Sequence, residues 1–151
     1  MDTGSTAQAK LPQGDGAWRA CRVFVVEDAP AIRCRLVQLI EAAGNARVVG
    51  EASTPTEATQ GILEARPDCT ILDFHLRGGT GLDVLRGIRA GGDKAVVVML
   101  SNETDPAYRE ACLAAGARWF LNKSAELEKV REIVTGLAPR SASDRREPCP
   151  Q

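Results

Sequence analysis

No stretch of the chain runs apolar for the roughly 20 residues that a bilayer-spanning helix needs. The polar start, Met1 to Lys10, has neither the charged leader nor the apolar block of an export signal. A cytoplasmic protein is therefore expected. Excess charge of one sign is missing too: 19 basic residues stand against 20 acidic ones, dispersed along the chain, for a formal net charge of -1. That balance offers no electrostatic footprint for nucleic acid or an anionic membrane, so neither is expected as a direct partner. The five cysteines, Cys21, Cys34, Cys69, Cys112 and Cys149, are odd in number and without CxxC spacing, and there is one histidine, His75. The pattern argues against a disulfide framework or a zinc centre, and it leaves all but Cys149 to serve as small core residues.

What is present suffices for one core. A chain of 151 residues, 44% of them hydrophobic, fits one domain with spare length at its ends. Residues 1–20 are rich in Gly, Ser, Thr, Gln and Ala and read as a flexible extension, with Trp18 the exception, placed to pack onto the domain. Residues 139–151 mix Pro, Ser and charge after a helix that Pro139 should stop, and they read as a flexible tail. The domain is expected over 21–138.

Within it, apolar runs alternate with helical patterns: Val23 to Val26, Val48-Val49, Thr70 to Leu72, Val96 to Leu100, and Trp119 to Leu121. Strands separated by helices imply a parallel sheet, and the second and fifth runs, short or interrupted by charge, suit its edges. The first helix should bury Ile32, Leu36, Leu39, Ile40 and Ala43 and end at Gly44. Thr54-Pro55-Thr56-Glu57 reads as a capping box opening the second. The third should follow Gly81 and bury Leu82, Leu85 and Ile88, the fourth should begin at Asp105-Pro106, and the fifth at Ser124. The fold class expected is α/β: a doubly wound sheet of five parallel strands with helices on both faces.

Ligands of open parallel sheets sit beyond the carboxyl ends of the strands. Strand one ends in Glu27-Asp28, strand three in Asp73, strand four in Ser101, and strand five leads through Asn122 to Lys123. Carboxylates drawn together on one rim repel unless a cation neutralises them, and oxygen ligands with open water positions suit Mg²⁺. A carboxylate nucleophile beside such a cation is suited to phosphoryl transfer, with Lys123 and Ser101 placed to contact the phosphoryl oxygens.

Phe24-Val25-Val26-Glu27-Asp28, Ile71-Leu72-Asp73, Leu100-Ser101-Asn102 and Phe120-Leu121-Asn122-Lys123, with Gly79-Thr80-Gly81 after the third strand, resemble the receiver domain of two-component response regulators. The resemblance runs from about Cys21 to Leu137. It implies a flavodoxin-like (βα)5 fold with strand order 2-1-3-4-5, and Asp73 as the phosphoacceptor. It further implies Mg²⁺ held by Glu27, Asp28, Asp73 and the His75 carbonyl, Lys123 on the phosphate, and Ser101 and Phe120 as the switch pair. The chain would then be a signalling domain that catalyses only its own phosphorylation and dephosphorylation. Phosphorylation adds about -1.5 to -2 charges, which would bias the face formed by the fourth helix, fifth strand and fifth helix. Implied partners are a histidine kinase or histidine phosphotransfer protein and a downstream protein target, with room for a phosphorylation-dependent homodimer.

Two departures stand out. Lys123-Ser124 replaces the family's frequent Lys-Pro, as in the subgroup related to nitrate-response regulators, and Arg77 stands where many relatives have proline, leaving that loop less restrained. The 14 residues after Leu137 are too few for the helix-turn-helix domain common in that subgroup, so a stand-alone receiver or a fragment is expected. Singly, Asp28 also reads as a helix cap, Asp73 and Ser101 as loop residues, and Phe120 as core. A flavodoxin-like cofactor binder needs a Gly/Ser/Thr loop where Glu27-Asp28-Ala29-Pro30 stands, and a phosphatase needs a second acid after Asp73. The remaining alternative is a protein-interaction module that uses the same fold without phosphorylation.

Overall fold

A computed structural model describes residues 20–137. Trp18, Cys149 and the two expected end segments, apart from Ala20, lie outside the described residues. Five parallel strands form one sheet in the order β2-β1-β3-β4-β5: β1 Cys21–Val26, β2 Ala46–Ala52, β3 Cys69–Asp73, β4 Val96–Ser101 and β5 Trp119–Asn122. Five helices alternate with them: α1 Pro30–Glu41, α2 Pro55–Ala65, α3 Gly81–Ala90, α4 Pro106–Ala114 and α5 Lys129–Leu137. This is the expected doubly wound fold and strand order.

The two faces of the sheet carry separate cores because side chains alternate along a strand. Val23 and Val25 of β1 pack with Ile71, Val98 and Leu121 under α1 and α5, where Leu36, Ile40, Val130 and Val134 are buried. Phe24 and Val26 face the other way and pack with Leu72, Val97 and Met99 under α2, α3 and α4. The central strands β1 and β3 are buried almost throughout, as strands covered on both faces must be.

Several local expectations are corrected. Cys34 is exposed, because the buried residues of α1 are Leu36 and Ile40 and Cys34 lies two positions off that stripe. The same helix ends at Glu41, before Ala43, and Gly44 follows in the turn with φ +83°. At α2 the Thr54 hydroxyl accepts from Glu57 N, but Glu57 reaches the backbone N–H of Ser53 rather than that of Thr54, so the box is not reciprocal. The reciprocal box opens α3, where Thr80 and Asp83 each accept the other's backbone N–H. That helix buries Val84 together with Leu85 and Ile88, while Leu82 is half-buried.

The largest correction is at α5, which begins at Lys129 and not at Ser124. Asn122 instead closes the turn that precedes the helix: its Oδ1 accepts from Ser124 N at 2.9 Å and Ala125 N at 2.7 Å, and Glu126 Oε1 accepts from Asn122 N at 2.7 Å. An amide at the last position of the strand thus closes the turn before a hydroxyl can.

Candidate functional site

The sheet register delivers the acids to one rim. Val26 of β1 pairs with Leu72 of β3, so Glu27 and Asp73 leave adjacent strands side by side, with Asp28 following. Asp73 pairs with Leu100, which puts Ser101 one position beyond it on β4, and Ser101 pairs with Asn122, which puts Lys123 one position further along after β5. Glu27, Asp28 and Asp73 each offer a carboxylate oxygen within 4.8 Å of the others.

Lys123 Nζ closes the cluster. It lies 3.0 Å from Asp73 Oδ2 and donates to Glu27 Oε2 at 3.2 Å. The side chains of Glu27 and Asp73 are 0% and 3% exposed, so three charges meet almost out of water. Burial raises the pKa of Glu27, against the hydrogen bonds from Ala29 N and Lys123 that lower it, and burial likewise raises Asp73. For Lys123 burial alone would lower the pKa, but the hydrogen bonds to Glu27 and Asp73 outweigh it and raise it. Glu27 Oε1 is buried and, although 3.0 Å from Nζ, sits at an angle that makes no hydrogen bond. An all-oxygen donor set with a buried oxygen still short of a partner fits a small hard divalent cation such as Mg²⁺.

The loop after Asp73, where Arg77 stands in place of the frequent proline, has a regular backbone pairing. His75–Leu76 and Gly79–Thr80 pair antiparallel around Arg77-Gly78, Gly78 supplying the turn's φ of +94°. Gly81 N donates to Phe74 O at 2.6 Å, so by alternation His75 and Thr80 face each other as a non-hydrogen-bonded pair. That turns the N–H and carbonyl of His75 away from Thr80, and the N–H is among the groups that lower the Asp73 pKa against burial. Gly81 is required here: a Cβ would stand 2.3 Å from the Asp73 carbonyl oxygen.

Ser101 is 1% exposed, and its hydroxyl accepts from Glu103 N at 2.9 Å. Phe120 does not reach the acids; it is half-buried, opposite Met99 in the register, and packs on the core shared by α2, α3 and α4. Trp119 beside it is 40% exposed. Sequence reasoning missed the groups that tie the loops together. Asn102 Oδ1 accepts from Ser124 N at 3.1 Å and Oγ at 2.9 Å, and the His75 ring contacts Glu103 Oε2 at 2.8 Å. Lys123-Ser124 in place of Lys-Pro was the one available signal, because only a residue with an N–H can make the first of these bonds. A cavity of about 490 Å³ lined by Arg66, Asp68, Asp93 and Lys94 lies at the opposite, amino end of the strands and takes no part in this cluster.

Comparisons with known proteins show the family of the chain. The sequence model of the response regulator receiver domain matches residues 23–135. The chain is 34% identical over 119 residues to a nitrate/nitrite response regulator protein homolog of Haemophilus influenzae, covering 76% of this chain and 57% of that protein. It is 32% identical over 126 residues to the DNA-binding transcriptional activator DevR/DosR of Mycobacterium tuberculosis, covering 83% and 58%. Among solved structures, the signal receiver domain of a response regulator designated NarL from Mycobacterium tuberculosis superposes with a TM-score of 0.73 at 29% identity, over 78% of this chain and 95% of that one. The chain belongs to the response regulator receiver domain family. It is a signalling domain of two-component systems, similar to the nitrate-response subgroup, and it spans a little over half the length of the curated relatives given above.

Among the described residues no helix is long and apolar enough to cross a membrane.

Proposed function

We propose that the domain accepts a phosphoryl group on Asp73 from a histidine kinase or histidine phosphotransfer protein and converts it into a change of partner affinity. The observation that carries this reading is the buried cluster itself: Asp73 and Glu27 share one ammonium, Asp28 stands beside them, and burial holds both shared acids above their ordinary pKa. Glu27, Asp28, Asp73 and the His75 carbonyl would hold Mg²⁺. When bound, the ion supplies charge neutralisation for the transferring phosphoryl group.

An Asp73 carboxylate oxygen forms the new O–P bond as the donor's N–P bond breaks, and the electron pair leaves on the donor imidazole. Lys123, already on Asp73, neutralises the oxygens that the phosphoryl group brings. The Ser101 hydroxyl, now occupied as an acceptor from Glu103 N, donates to one of them, and Phe120 repacks as Ser101 moves. The readout is the face of α4, β5 and α5, to which a downstream target or a second phosphorylated copy would bind. Slow self-dephosphorylation resets it. Residues 21–138 would be the unit that does this, with 1–20 and 139–151 as its extensions, acting in the cytoplasm.

Intact mass after incubation with Mg²⁺ and acetyl phosphate tests the reading. A phosphate adduct lost with EDTA and in Asp73→Asn is expected. No adduct from a folded, Mg²⁺-binding chain would overturn it in favour of an interaction module that works without phosphorylation.

A further inference from the structure

The loop that carries two of the three acids is gripped by an arginine outside the cluster. Arg33, one turn into α1, donates from Nη1 to the main-chain carbonyl of Glu27 at 2.7 Å, while its Nε lies 3.2 Å from Glu51 Oε1 on β2. The rest of the loop is equally committed. Glu27 N donates to Ala52 O at 3.0 Å, Ala29 N to Glu27 Oε2 at 3.0 Å, and Arg33 N to Ala29 O at 2.9 Å.

From this geometry we infer that Arg33 is a positioning residue for the acidic pair, holding the peptide unit between Glu27 and Asp28 so that both carboxylates face Asp73. The inference rests on the Mg²⁺-dependent reading of the site and deepens it. A peptide unit is planar, so fixing the Glu27 carbonyl also fixes the Asp28 N–H on its other edge. That carbonyl turns with ψ of Glu27, and an uncompensated change in ψ would carry Asp28 and its carboxylate away from Asp73. A guanidinium is suited to prevent it, because its rigid fork engages the Glu27 carbonyl and the Glu51 carboxylate together, and a lysine offers only a single point charge.

The inference has a distinguishing sign. Arg33 is a cation beside a cation-binding cluster, so if it acted by charge alone its removal would tighten Mg²⁺ binding. Acting by position, its removal must weaken it. The experiment is calorimetric titration of the full chain with MgCl₂ alone, comparing wild type with Arg33→Met and Arg33→Lys. It is paired with amide hydrogen exchange at Asp28 and Ala29 in metal-free protein, a readout independent of phosphorylation.

The expected result is about tenfold weaker Mg²⁺ binding in Arg33→Met, the scale typical of groups that orient metal ligands, together with faster exchange at those amides. Arg33→Lys keeps the charge and loses the fork, and it is also expected to bind more weakly. If Arg33→Met does not fold, this variant decides. Unchanged or tighter Mg²⁺ binding in the folded variants overturns the role of Arg33 while leaving the functional reading intact. A wild-type chain that binds no Mg²⁺ overturns both.

Discussion

Replacing Lys123 by Met removes the one ammonium shared by two buried carboxylates, and its cost can be worked from the distances. Each 3.0 Å contact corresponds to about 5 kcal/mol of gross attraction at an effective dielectric near 20. Desolvating the three groups cancels most of that, and removing one partner of a buried pair costs about 3–5 kcal/mol net. The lower end applies here, since an acid whose charge becomes too costly takes up a proton instead. A loss of about 3 kcal/mol in unfolding free energy is therefore expected at pH 7.5 without Mg²⁺.

The pH dependence separates this cause from lost packing. Burial already raises Glu27 and Asp73, and Lys123 is among the groups pulling both back down. Without it their folded-state pKa values rise further, so between wild-type and variant values the variant's native state binds more protons. Its stability relative to wild type then recovers as pH falls. Urea unfolding followed by circular dichroism at pH 7.5 and 5.0 measures this. A deficit that is the same at both pH values, or larger at pH 5.0, refutes the electrostatic argument.

Three further outcomes follow from the same cluster. Because burial raises Asp73 above its unfolded value, the stability linked to its proton is complete below that value and is lost as pH rises through the folded one. Asp73→Asn should thus melt above wild type at pH 7, by about 2–4 °C for each kcal/mol gained, with the gap closing toward pH 4 in calorimetric scans. Mg²⁺ at 100 times its dissociation constant should raise the unfolding free energy by about 2.7 kcal/mol, reversibly with EDTA; a melt indifferent to Mg²⁺ would remove the ion from the site. Gly81→Ala, whose new methyl meets the Asp73 carbonyl at 2.3 Å, should cost about 1–3 kcal/mol in urea unfolding and lower the phosphate adduct in intact mass.

What could be read from the chain beforehand was whatever local chemistry decides. Val96 to Leu100 and Thr70 to Leu72 are apolar because β4 and β3 are covered on both faces, and the acid or hydroxyl ending each marks where the strand leaves the core. The edge strand β2 was legible only as Val48-Val49, because pairing with β1 extends it over charged Arg47 and exposed Glu51. Ser124 was a fair cap by propensity, but Asn122 and Glu126 close the turn first. Arg33 carried no signal, and Asn102 stood in a recognised motif without any sign of what it binds. Their partners are set by how α1 meets β1 and β2, and by how the loop after β4 meets the one after β5, contacts that no window of sequence contains.

Those tertiary contacts also bear on how a change at Asp73 would travel. Three carboxylates against one ammonium leave the rim with excess negative charge, and phosphorylation would replace one unit on Asp73 by about two. On the proposed function, the side chains that would meet those new oxygens, beside Mg²⁺, are Lys123 and Ser101. Each is tied to the neighbouring loop. Lys123 is followed by Ser124, which is bonded to Asn102, and Ser101 is followed by Asn102 and bonded to Glu103 N, whose side chain meets His75. The loop from Ser101 ends in Asp105, the cap of α4, so on the proposed function a shift of either group would pull on the start of that helix and on the end of β5 together. On the proposed function, the α4-β5-α5 face responds as a unit because two loops are laced by side chains, and the lacing depends on a serine with an N–H where proline has none.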